Sequence, residues 1–210
     1  MSGIAMTAPA AGVETHGTPI SERGPSTRRV IIGYGFWLFL LSDIILFSAL
    51  FAAYAVLSGR NADGPTGVQL FHRNNVLIET GCLLLSSFTC AMMSLAIEVR
   101  RRGLMVIGAV LTLALGAAFL WLELTEFAGM VAHGAGPSRS AFLSAFFALV
   151  GMHGLHVSIG LCWLVSMVAQ VFTLGWRPMV IGRLACFSLF WHALDIVWIG
   201  VFTIVYLGAH

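Results

Sequence analysis

The chain has 210 residues, 59 % hydrophobic and only 10 % charged, with a mean hydropathy of +0.92. A soluble domain of that size has too little interior to hide so much apolar surface, which excludes a water-soluble globular protein and a nucleic-acid-binding module and leaves an integral membrane protein. The formal net charge of +2 says little about partners; all eleven basic residues are arginine, and their placement matters more than their sum.

Residues 1–28 are polar and rich in Gly, Pro, Ala, Ser and Thr, with no apolar run of signal-peptide length, and read as a mobile tail on the membrane surface. The pair Arg28-Arg29 precedes a first span over Val30–Leu57, long enough to cross a bilayer. Turn-forming residues fill Ser58–Gly67, and a second span over Val76–Val99 is closed by Arg100-Arg101-Arg102. The third span is Leu104–Phe127, followed by the Gly134-Ala-Gly-Pro137 turn. The fourth, Ala141–Phe172, is long enough to tilt or to project beyond the bilayer. After Gly175-Trp-Arg-Pro178 the fifth occupies Ile181–Tyr206. No repeat or second domain is visible, so residues 29–210 predict an all-α bundle of five transmembrane helices.

Orientation follows from the arginines. Arg23, Arg28, Arg29, Arg100, Arg101, Arg102, Arg177 and Arg183 fall on one side of five spans, and only Arg60, Arg73 and Arg139 on the other. Eight against three predicts a cytoplasmic N-terminus and an external C-terminus. Cys82, Cys90, Cys162 and Cys186 all lie in apolar segments, which predicts buried free thiols and no disulfide framework. The aromatic run Phe142, Phe146, Phe147 is equally consistent with a lipid-facing or inter-subunit surface.

Ionisable side chains at bilayer depth are costly and usually face the bundle interior with a partner. Asp43 lies near the middle of the first span, His153 and His156 in the fourth, and His192 and Asp195 in the fifth, so these five define a central polar layer. Glu79, Glu123 and Glu126 lie towards the outer ends of spans two and three, with His133 and Arg139 in the adjoining loop, and define a second, outer layer. The pairs Glu123/Glu126, His153/His156 and His192/Asp195 are each three residues apart and project from one helix face. Small residues Gly151, Gly154, Ser158 and Gly160 flank the two histidines and allow another helix backbone to come close.

Several chemistries compete for these groups. The plainest is interhelical hydrogen bonding that sets the register of the bundle. Haem ligation is a second, but His153 and His156 differ in height by only about 4.5 Å, too little for two haems stacked across a membrane. One haem between His156 and His192 stays open. A di-metal carboxylate site would need Glu-x-x-His pairs, and the chain has Glu-x-x-Glu, His-x-x-His and His-x-x-Asp instead. A proton or ion route with Asp43 and Asp195 as relays is the remaining reading.

Four segments narrow this. Leu41-Ser-Asp43-Ile-Ile-Leu-Phe47, Leu124-Thr-Glu126-Phe127, Gly151-Met-His153-Gly-Leu-His156-Val157 and Phe190-Trp-His192-Ala-Leu-Asp195-Ile-Val-Trp198 occur in order on spans one, three, four and five. In this they resemble subunit III of haem–copper terminal oxidases, from about Ile31 to the end. The loop Gly64-Pro-Thr-Gly67 and the ending Val201–Leu207 are similar to the bacterial cytochrome o ubiquinol oxidase form. Members that oxidise cytochrome c usually have seven spans, and their first two have no counterpart here. Asp43 stands where many members place Glu, one methylene longer.

The resemblance implies a non-catalytic accessory subunit of the bacterial cytoplasmic membrane. Its partners would be oxidase subunits I, II and IV, in a complex that oxidises ubiquinol, reduces oxygen to water and pumps protons. Low-spin haem b, high-spin haem o, copper and ubiquinol would all lie outside this chain. It would bind phospholipid in a cleft, stabilise subunit I and support proton uptake. Separately, shared depth and three-residue spacing predict that Asp43, His153, His156, His192 and Asp195 brace the first, fourth and fifth helices through an interhelical hydrogen-bond network. Two alternatives stand beside it: the related five-helix accessory protein of nitric oxide reduction, and an independent intramembrane metal enzyme or transporter.

Overall fold

In the computed structural model residues 28–58 and 73–207 are described; the tail read over 1–27, the Gly64–Gly67 loop and the last three residues lie outside them. Five helices carry the fold: α1 (Arg28–Leu57), α2 (Arg73–Glu98), α3 (Arg102–Ala132), α4 (Ala141–Leu174) and α5 (Pro178–Val201). A π-helical turn, Phe202–Leu207, continues α5. No strand occurs among the described residues, and each helix is long and apolar enough to cross a membrane.

Local chemistry explains where the helices end. The Ser140 hydroxyl accepts from the Leu143 N–H at 3.2 Å and caps the start of α4. Pro178 occupies the first turn of α5, where its missing N–H costs nothing. α3 runs past Phe127 to Ala132, because nothing breaks it before Gly134, which takes φ 75°. The Ala135 N–H then bonds Met130 O at 2.9 Å, closing a Schellman-type end. The α2–α3 turn closes the same way, with Arg101 N–H on Ala96 O at 2.9 Å, but its left-handed residue is Arg100, at φ 56°.

Neighbouring helices run antiparallel. Phe36 and Tyr54 of α1 meet Trp163 and Phe142 of α4, so the two run in opposite senses. Thr80, Ser86 and Ser94 of α2 meet Trp198, Trp191 and Ser188 of α5 in the same reversed order. α2 and α3 form the tightest pair: a Cβ on Gly108 would sit 2.9 Å from Met93 Cβ, so the backbones approach as only glycine permits. α1 is peripheral, resting on α4 and α5 with most of its apolar surface exposed.

The core is aromatic. Trp191, Trp198, Phe119, Phe146 and Phe187 are fully buried among aliphatic side chains of α2 to α5. Phe142 and Phe146 belong to this core and Phe147 packs against it, which corrects the reading of that run as an outer surface. The cause is rotational: the three residues start α4 on the side that faces Tyr54, Phe127 and Tyr206. The thiol reading also needs correction. Cys90 is buried, Cys82 and Cys186 are intermediate, and Cys162 is exposed on the outer face of α4. An apolar segment in a bilayer has a lipid-facing side, so apolar neighbours in sequence do not imply burial in the bundle.

Candidate functional site

One ionic contact joins helices among the described residues: His156 Nε2 of α4 lies 3.8 Å from Asp43 Oδ1 of α1. At that length it is an electrostatic contact and not a hydrogen bond. The His156 Nδ1 is 2.8 Å from Met152 O. A carbonyl only accepts, so Nδ1 carries a hydrogen and Nε2 is left to face Asp43. Side-chain exposures of 13 % for His156 and 18 % for Asp43 place the pair just inside the α1–α4 seam.

His153 shares the Phe47 ring with His156 but turns deeper. Its imidazole is wholly buried, 5.0 Å from the Trp198 ring of α5 and edge-on to Phe119 of α3 at 5.7 Å. Neither ring nitrogen has a hydrogen-bond partner. His192 bonds its own helix, Nδ1 to Ser188 O at 2.7 Å. Asp195 is directed at Ser87 of α2, though no bond closes to its Oδ1 or to the Ser87 hydroxyl. The structure therefore brings Asp43 and His156 together and sends His153, His192 and Asp195 to other neighbours.

Of the histidines open to ligation, His156 has Nδ1 on a carbonyl and Nε2 facing Asp43, His192 has Nδ1 on a carbonyl, and the imidazole of His153 is enclosed by Phe47, Phe119 and Trp198. Among the described residues no three His, Cys, Asp or Glu side chains converge with metal-ligating geometry.

The outer carboxyl groups meet across three helices. Glu79 of α2 and Glu123 of α3 are buried, with 1 % and 4 % exposure, and Glu126 is half-buried beside them. The carboxyl groups of Glu79 and Glu126 face each other, and Glu123 lies within electrostatic reach of both. Glu123 also presses on α4: a Cβ on Gly154 would fall 2.8 Å from each of its carboxyl oxygens. Gly154 follows His153 in the chain, so Glu123 meets α4 one residue beyond the central layer.

Sequence reading missed the seam that ties α2 to α3 and α5. Trp191 Nε1 donates to Ser86 Oγ at 3.0 Å and Trp198 Nε1 to Thr80 Oγ1 at 3.1 Å. Thr89 and Thr112 share a hydroxyl–hydroxyl bond of 2.8 Å, and the Ser94 hydroxyl donates to that of Ser188 at 3.0 Å. The available signal was the run of small hydroxyl residues on one face of α2, Ser86, Thr89 and Ser94, which is glue between membrane helices.

Long apolar helices that turn Asp, His and Glu side chains into the bundle define a multi-span integral membrane protein. Comparison with known proteins gives the family. The profile described as cytochrome c oxidase subunit III matches residues 16–210. Cytochrome bo(3) ubiquinol oxidase subunit 3 of Pseudomonas aeruginosa is 51 % identical over 174 residues, 83 % of each chain. Quinol oxidase subunit 3 of Bacillus subtilis is 46 % identical over 176 residues, 82 % of this chain and 85 % of its own. Cytochrome bo(3) ubiquinol oxidase subunit 3 of Buchnera aphidicola subsp. Baizongia pistaciae is 42 % identical over 173 residues, 82 % of this chain and 89 % of its own. The chain belongs to the cytochrome c oxidase subunit III family, within the haem–copper oxidases.

Proposed function

We propose that this chain is the accessory subunit III of a proton-pumping terminal ubiquinol oxidase in a bacterial cytoplasmic membrane. It packs beside subunit I, with subunits II and IV as further partners, holds phospholipid between its helices and supports proton uptake by the complex. Haem b, haem o, copper and ubiquinol belong to the neighbouring subunits in this reading, and the N-terminus is cytoplasmic. The observation that carries it is the similarity along more than four-fifths of the chain to subunits 3 of quinol oxidases. The Asp43 carboxyl facing His156 Nε2 and the aromatic enclosure of His153 favour bracing over cofactor ligation. The exposed apolar flank of α1 supplies a face for lipid or a partner subunit.

Affinity purification through this chain, from gently solubilised membranes, tests the reading. A haem- and copper-containing complex that oxidises ubiquinol is the expected result, from which the separated chain emerges colourless. Co-purification with a nitric oxide reductase would transfer the chain to the alternative accessory role. Stoichiometric haem or metal on the separated chain would overturn the accessory reading and return His153, His156 and His192 as ligand candidates.

A further inference from the structure

All five helices deliver a residue to the end of the bundle where α1, α3 and α5 finish. Tyr54 comes from α1, Glu79 from α2, Glu123 and Glu126 from α3, Phe146 from α4 and Tyr206 from the π-helical turn. Glu79 is 1 % exposed and aimed at Glu126, yet neither of its carboxyl oxygens has a hydrogen-bond partner. Both oxygens of Glu123 and one of Glu126 are in the same condition. The basic groups of the following loop make local bonds, His133 Nδ1 to Gly129 O at 2.8 Å and Arg139 to Gly134 O at 3.1 Å. Among the side chains described, no arginine or histidine from residue 75 onward makes an ion pair with the three carboxyl groups.

Two ionised carboxylates facing each other, out of water and without a counter-ion, repel strongly and leave their lone pairs unsatisfied. One proton removes both defects, because a carboxylic acid O–H donates to the facing carboxylate. The side chains around the pair suit a held proton. Gly154 lacks the Cβ that would displace Glu123, so a third carboxyl group stays next to Glu126. Tyr206 is turned inward to the same three carboxyl groups, and Tyr54 lies beside it.

We propose that Glu79 and Glu126 hold one proton between them, making this end of the bundle a proton-binding site distinct from the Asp43–His156 contact. The proton resides as O–H on one carboxyl group and is accepted by the other, so the pair carries one negative charge instead of two. Glu123 and Tyr206 are the other titratable groups that face it, with Tyr54 next to Tyr206. The site does not depend on which complex the chain serves.

Infrared spectroscopy of the purified complex at neutral pH tests this, using the C=O stretch of a protonated carboxylic acid and glutamate labelled with carbon-13 at the carboxyl. The wild-type spectrum minus that of Glu79→Gln, and minus that of Glu126→Gln, is expected to show the loss of one glutamic-acid band that shifts with the label. Where these variants fail to assemble, Glu79→Asp and Glu126→Asp keep a carboxyl but retract it, and are expected to move the band. An unchanged band in both glutamine variants, or in both aspartate variants, overturns the proposal. So does a wild-type complex with no glutamic-acid band at all.

Discussion

Gly154 shows how much one hydrogen can decide in a membrane interior. Its missing Cβ is what admits the Glu123 carboxyl group against α4, since a methyl there would lie 2.8 Å from both oxygens. Gly154→Ala is therefore expected to push α3 from α4 and to destabilise the bundle by roughly 1–3 kcal/mol, the usual range for overpacking. Its midpoint in a thermal denaturation series should fall, and combining it with Glu123→Ala should recover part of the loss. A double variant no better than the single one would show that Glu123 is not what the methyl meets. Asp43→Asn is a milder change. It removes the charge facing His156 at 3.8 Å, and polar contacts between membrane helices average only about 0.6 kcal/mol. The expected outcome is a small drop in assembly or in working lifetime, with the haem spectrum of the assembled complex unchanged. A changed high-spin haem signal in correctly assembled complex would argue against a bracing role.

At the scale of elements, turns and the last stretch of α5 carry most of the specification. Arg100 adopts φ 56° where helices normally place glycine, a conformation that costs a side-chain-bearing residue roughly 1 kcal/mol. Arg100→Gly is expected to raise the stability of the chain by about that amount, read as a higher thermal midpoint with membrane insertion unaltered. A lower midpoint would mean that the guanidinium contributes more than the backbone strain costs. The π-helical turn has a comparable effect on direction. Eight residues after Trp198, an uninterrupted α-helix would leave Tyr206 turned by about 80°. Bonds from i to i+5 wind the chain less per residue, and the two rings come to 6.4 Å. Hydropathy locates the fifth helix but is blind to this change of winding, because both windings use the same apolar residues. The hydroxyl seam of α2 was hidden for a related reason. Ser86, Thr89 and Ser94 read as ordinary small residues until Trp191, Thr112 and Ser188 are brought opposite them.

At the scale of the molecule, the antiparallel bundle leaves α1 at one edge, resting mainly on α4 and α5. In the accessory reading, an oxidase prepared without this chain should keep its haem and copper spectra and its initial rate of quinol oxidation. It is expected to lose activity sooner during turnover, a loss followed directly by oxygen consumption. Immediate loss of the high-spin haem signal on removal of the chain would instead place a ligand within it.

Length and apolarity alone determined that the chain is a bundle of long membrane-crossing helices, because a run of apolar residues in a bilayer has no alternative to satisfying its backbone within itself. The order of the Asp, His and Glu motifs along those helices likewise carried the family. Partner choice was decided only by the tertiary structure. His153 and His156 lie three residues apart, yet one enters an aromatic cage and the other meets Asp43. Glu79 lies 47 residues before Glu126, yet their carboxyl groups face each other. Helical spacing states which side chains leave the same face, but which helix stands opposite that face depends on packing and backbone approach at positions such as Gly108 and Gly154. Those contacts are long-range in the chain, and no local pattern encodes them.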